Sequence, residues 1–74
     1  SYESQRQELL ERASYINVQT HYELALSSEK NQQYRWHTDL VNISNYYLDS
    51  FGSSKNAREV QKIRDYSRTF IDRF

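Results

Sequence analysis

The chain contains no cysteine, no proline, no methionine and only one glycine, and each shortage closes off a class of structure or chemistry. Without cysteine there are no disulfides, no thiolate metal sites and no cysteine nucleophile. Without proline nothing breaks a helix from within. No apolar run approaches the roughly 18 residues of a membrane span, and no signal-peptide pattern is present. A chain that opens Ser1-Tyr2 and holds no methionine reads as one processed after synthesis or excised from something longer. Charge of either sign is also missing in net: ten basic residues balance ten acidic ones.

What remains is 74 residues, of which 36% are hydrophobic and 15% aromatic. That length is one domain near the lower limit for independent folding. A mean hydropathy of −1.03 leaves a thin core. Below roughly 70 to 80 residues such a core rarely supplies more than about 3 to 5 kcal/mol, and small domains then lean on disulfides, metal or a partner. With disulfides excluded, a partner or an oligomer is the natural support. The aromatic content and the zero net charge argue against disorder.

The chain is organised around Tyr34 to Phe51, which holds the only Trp and three of the seven Tyr. Tyr34, His37, Leu40, Val41, Ser44, Tyr47, Leu48 and Phe51 recur at steps of three and four, the period of one helix face. Trp36, Ile43 and Tyr46 lie at the flanks of that face. Gly52 follows directly, where a left-handed residue commonly ends a helix.

Upstream, Leu9, Ala13, Ile16, Thr20, Leu24 and Ser27 recur on one face of a first helix, with Tyr2 ahead of them and Leu10, Tyr22 and Ala25 widening the stripe. This face is the expected core side of that helix. No Pro or Gly forbids one continuous helix up to Phe51. However, the polar run from Ser27 to Gln33 would occupy two turns of the seam, so a turn near residues 28–31 is expected. Downstream, Ser53-Ser54-Lys55-Asn56 reads as a loop, with Asn56 and Ser54 competing to cap a third helix. Val60, Ile63, Ser67, Phe70 and Phe74 make its heptad seam.

These patterns predict an all-α, single-domain chain: a small three-helix antiparallel bundle with helices near 2–27, 32–51 and 56–74. The alternative is a long helical hairpin, or coiled-coil-like helices that pair with a partner. At about 25 residues the first helix is the longest, and its N-terminal end is expected to project.

Charge is graded along the chain: five acids and three bases in residues 1–30, against three acids and six bases in residues 55–74. Such a gradient orients helix ends or attracts an acidic partner. Arg58, Lys62, Arg64 and Arg68 with Tyr66 have the makings of a nucleic-acid face, but Glu59, Asp65 and Asp72 interrupt it. His21 and His37 would approach each other across a hairpin, yet neither has a second ligand at helical spacing, so no metal site or cofactor is inferred. No nucleophile and base pair, glycine-rich phosphate loop or core-facing carboxylate indicates an enzyme or a small-molecule substrate.

The best functional clue is the set of aromatic side chains. Tyr15, Tyr22, Trp36, Tyr46, Phe70 and Phe74 are the expected partner interface, because Tyr and Trp combine large buried area with a polar tip. The run Tyr22 to Leu26 resembles tetratricopeptide-type hairpins, and the three-helix layout resembles microtubule-interacting-and-transport modules. The paired Trp, Gly and Pro positions of the former are absent, and no family residues carry over. The expectation is a non-enzymatic interaction or assembly subunit whose partner is another protein or a second copy. A dimerising extracytoplasmic sensor fragment is the alternative, and a nucleic-acid accessory factor the weaker one.

Overall fold

Ser1 starts the first helix, its side-chain oxygen accepting a hydrogen bond from the Ser4 backbone N–H at 3.3 Å, and Glu3 places an acid in the first turn. From there the computed structural model, which describes residues 1–74, runs through α1 (Tyr2–Ser27), α2 (Lys30–Phe51) and α3 (Ala57–Asp72). The chain is an all-α, three-helix bundle with no strand.

Two extended residues separate α1 from α2. Ser28 and Glu29 have ψ of 156° and 153°, and the Ser28 hydroxyl donates to the Ala25 carbonyl at 3.0 Å, satisfying one of the acceptors exposed at the end of α1. The polar run at Ser27 to Gln33 therefore breaks the helix at its start.

Gly52 plays a different part from the expected left-handed cap. Its φ is −60°, inside the right-handed region, and no residue has positive φ. The reason for glycine is room: a Cβ built there would lie 2.7 Å from the Leu48 carbonyl oxygen. Nor does Asn56 cap α3 with its side chain; that amide reaches Glu11 of α1 instead. The Ser54 hydroxyl accepts from the Asn56 backbone N–H at 3.2 Å, and the Ser54 carbonyl accepts from Ala57 N–H.

The middle element is α2, with α1 and α3 both packed on it and meeting each other mainly through side chains. Leu40 and Tyr47 of α2, Val18 of α1 and Val60 of α3 are fully buried, with Ala25, Ala57 and Ile63 completing the core. Full burial of such a side chain contributes about 1.5 to 3 kcal/mol. The seams expected of α2 and α3 are the observed ones over His37, Leu40, Ser44, Tyr47, Val60, Ile63 and Ser67, while Tyr34 and Phe74 at their ends remain exposed.

The core side of α1 is a correction. Leu9, Ala13, Ile16, Thr20, Leu24 and Ser27 are all exposed; the helix buries Val18, outside the expected stripe, and Ala25 from its widened edge, flanked by Ser14, Tyr15, His21 and Tyr22. The small Ser14, Val18 and Ala25 let α1 approach α2, whose Leu40, His37 and Tyr47 supply the bulk at the seam. Aliphatic content alone pointed to the wrong side of the helix.

Candidate interaction site

Successive residues of a helix advance by about 100°, so positions two apart stand on nearly opposite sides. Val18 is buried; Ile16 and Thr20, two residues to either side, therefore face away from the bundle. Along that outer side runs the stripe Tyr2, Leu9, Ala13, Ile16, Thr20, Leu24, with Leu10 and Leu26 on its flanks. Tyr2 is 80% exposed, Leu9 62% and Ile16 53%. Residues 1–10 are exposed without exception, and the molecule measures 46 Å in its long direction, so the start of α1 has little of the chain beside it. A helix that is apolar on two opposite sides has one side more than its own fold uses. Tyr2, Gln5, Arg6, Leu9 and Leu10 already line an open groove of about 280 Å³ on this segment.

The aromatic residues expected at an interface divide into two groups. Tyr46 and Phe74 are well exposed. Tyr15, Tyr22, Trp36 and Phe70 are half-buried and have partners within the chain. Tyr15 donates its hydroxyl to Glu59 of α3, and Tyr22 packs edge-on against Tyr66 at 6.1 Å. Trp36 meets His21 at 6.3 Å with the Arg35 guanidinium over its ring, while Phe70 stacks on His37 at 4.0 Å. Phe74 continues the same aromatic row, 5.6 Å from Phe70 and 5.1 Å from Tyr34.

Two polar clusters lie inside the bundle. At the loop end, Tyr47 donates its hydroxyl to Glu11, Ser54 donates to the Tyr47 oxygen, and the Asn56 amide donates to the same Glu11 carboxylate at 3.0 Å. These bonds tie α1, α2 and the α2–α3 loop together. They also hold the Glu11 carboxyl below its usual range, chiefly through Tyr47 and then Asn56. Across the same end, the hydrogen bond to Glu59 pushes the Tyr15 hydroxyl up to about 12, with burial adding to it. Burial first, and then the bond to Glu11, also raises Tyr47. Nothing in the sequence marked Glu11 and Tyr47 as partners, since 36 residues separate them.

At the other end, His37 Nδ1 lies 2.9 Å from the Ser67 hydroxyl. Desolvation pushes the imidazole below its usual range. A serine beside a histidine is a familiar nucleophile and base pairing. Here both residues are closed to solvent, at 1% and 0% exposure, so no substrate reaches the pair and it serves as a core hydrogen bond. His21 bonds the Asn17 carbonyl of its own helix, and the chain holds no group of three or more His, Asp or Glu positioned for a metal. On α3, Arg64 reaches Asn45 at 3.3 Å and Asp65 at 3.2 Å, which takes it out of the expected basic face.

Compared with known protein families, curated proteins and solved structures, the chain gives no match.

Proposed function

We propose that this chain is a non-enzymatic interaction or assembly subunit, and that its principal docking surface is the outer face of α1. The observation that carries the reading is the position of that stripe: Leu9, Ala13, Ile16, Thr20 and Leu24 are apolar or small, exposed, and opposite the buried Val18 and Ala25. The exposed Tyr46 and Phe74 offer aromatic contacts on other parts of the surface. An amphipathic helix recognised through anchors three and four residues apart is a common mode of helix docking.

The test places a photo-crosslinking amino acid at Ile16, and in a parallel sample at the exposed Arg58 of α3, in the cells that make the protein. Adducts concentrated at position 16, and lost when Leu9 and Leu24 are both changed to Gln, support the reading. Equal labelling at both positions, or none at Ile16, overturns it. The adduct mass separates a second copy from a different protein.

A further inference from the structure

Resting on the reading of this face as a docking surface, we propose that a second copy of the chain covers it, the two α1 helices running antiparallel. The stripe has nearly the same spacing from either end: Leu9, Ala13, Ile16, Thr20 and Leu24 follow at steps of four, three, four and four. When the Leu9 of one copy lies level with the Leu24 of the other, Ala13 falls level with Thr20. Ile16 then sits within one residue of its own counterpart. Apolar or small residues meet at each level, and the two-fold arrangement repeats every contact.

Charge selects the antiparallel direction. Arg12 and Glu23 are eleven residues apart, close to three full turns, so they occupy the same flank of the stripe. A two-fold axis perpendicular to antiparallel helices brings like flanks together. In this register Glu23 of one copy stands level with Leu10 of the other and two residues, about 3 Å along the axis, from Arg12, twice per pair; Glu8 is at the same axial distance but turned about 40° further from the seam. Both residues are exposed, Arg12 has only a 3.9 Å contact with Glu8, and Glu23 has no ion pair within its own chain. A parallel pair would set Arg12 against the opposite flank, where Leu10 and Asn17 offer no acid. The rest of the bundle lies behind each α1, so nothing of the fold stands between the two faces.

The overlap runs from Arg6 to Ser27, about 33 Å of helix at ~1.5 Å per residue. Two helices packed over that length bury on the order of 600 Å² per copy, about 1,200 Å² in all, at the lower edge of specific interfaces. Area alone does not set affinity, and a seam with alanine and threonine at its centre and no buried aromatic anchor is expected to dissociate at the weak, micromolar end of the range.

Because the chain has no cysteine, single-cysteine variants give an unambiguous readout. Ile16→Cys sets its thiols close together across the two-fold axis, whereas Ala13→Cys leaves them about 10 Å apart along the helices, given ~1.5 Å per residue. Both full-length variants are oxidised mildly at about 100 μM, well above the expected dissociation constant, with sedimentation equilibrium on the wild-type chain over the same range. The expected result is a reversible dimer, and a covalent one formed at least tenfold more readily by Ile16→Cys than by Ala13→Cys. A wild-type chain that stays monomeric up to millimolar concentration overturns the pairing, as does equal or preferred cross-linking at Ala13. In either case, an adduct at Ile16 to a different protein leaves the docking reading intact and replaces only the occupant.

Discussion

Helices α1 and α3 pack on the same partner, α2, but use their surfaces differently. In α3 the apolar Val60 and Ile63 and the small Ser67 line one buried seam, and Arg58, Gln61, Lys62 and Asp65 face water. In α1 the buried seam is made of Ser14, Tyr15, Val18, Tyr22 and Ala25, while a second, more aliphatic stripe faces outward. The first pattern is that of a helix whose apolar surface its own fold accounts for. The second leaves apolar surface over, and on α1 that surplus is continuous from Leu9 to Leu24. The difference separates residues that hold the bundle together from residues available to something outside it.

Substitutions on the two kinds of face sharpen that contrast. Leu40→Ala, which hollows the centre of α2 where both neighbours pack, is expected to cost about 2 to 5 kcal/mol in urea or thermal unfolding, a loss comparable to the whole stability of a domain of this size. Glu11→Ala strands the Asn56 amide and leaves the Tyr47 hydroxyl with Ser54 as its one partner, and a loss of about 1 to 3 kcal/mol is expected. Since the folded Glu11 carboxyl titrates below its unfolded value, the stability it contributes is present above the ordinary carboxylate range and is lost as pH falls through the lowered folded value. Glu11→Ala should therefore flatten the acid limb of the stability curve. Gly52→Ala, which forces a Cβ toward the Leu48 carbonyl, is expected to cost about 1 kcal/mol.

His37 supplies a smaller, pH-dependent effect. Burial disfavours its charged form, so the unfolded chain takes up the proton first as pH falls below about 6.5. Its share of stability is complete above that value and declines below it. His37→Gln should remove this slope between pH 7 and 5 in a series of urea unfolding curves. A slope that persists in the variant would place its origin elsewhere, in Glu11 or another carboxylate.

The helix positions were legible from periodicity because turn residues and seams agree: the observed α2 begins at Lys30, close to the expected residue 32, and the break falls at Ser28-Glu29. In α3 the heptad seam and the core coincide from Val60 to Ser67, since no other apolar face competes, and only the end of the seam at Phe70 and Phe74 emerges toward the surface. In α1 two candidate faces compete, and periodicity favours the more aliphatic one. The fold selects the other because tyrosine rings, serine and alanine fit against Leu40, His37 and Tyr47. The role of Gly52 was hidden because the sequence shows a glycine after a helix and not how near the Leu48 carbonyl comes. The hydrogen bonds joining Glu11, Tyr47, Ser54 and Asn56 depend on tertiary geometry and leave no local pattern. Of the expected interface, Tyr46 and Phe74 are exposed, whereas Tyr15 and Tyr22 have partners on α3.

The most direct measurement is urea unfolding of the wild-type chain and of a Leu9→Gln, Ile16→Gln double variant at submicromolar concentration. There the intramolecular fold is measured alone. Glutamine keeps nearly the helix propensity of the residues it replaces, so only the outer face changes. The two chains should unfold with the same slope and within about 0.5 kcal/mol of each other, as expected of surface positions. A loss of several kcal/mol in the double variant would mean that the outer stripe of α1 belongs to the core after all, and would contradict the division of that helix into a structural and a docking face.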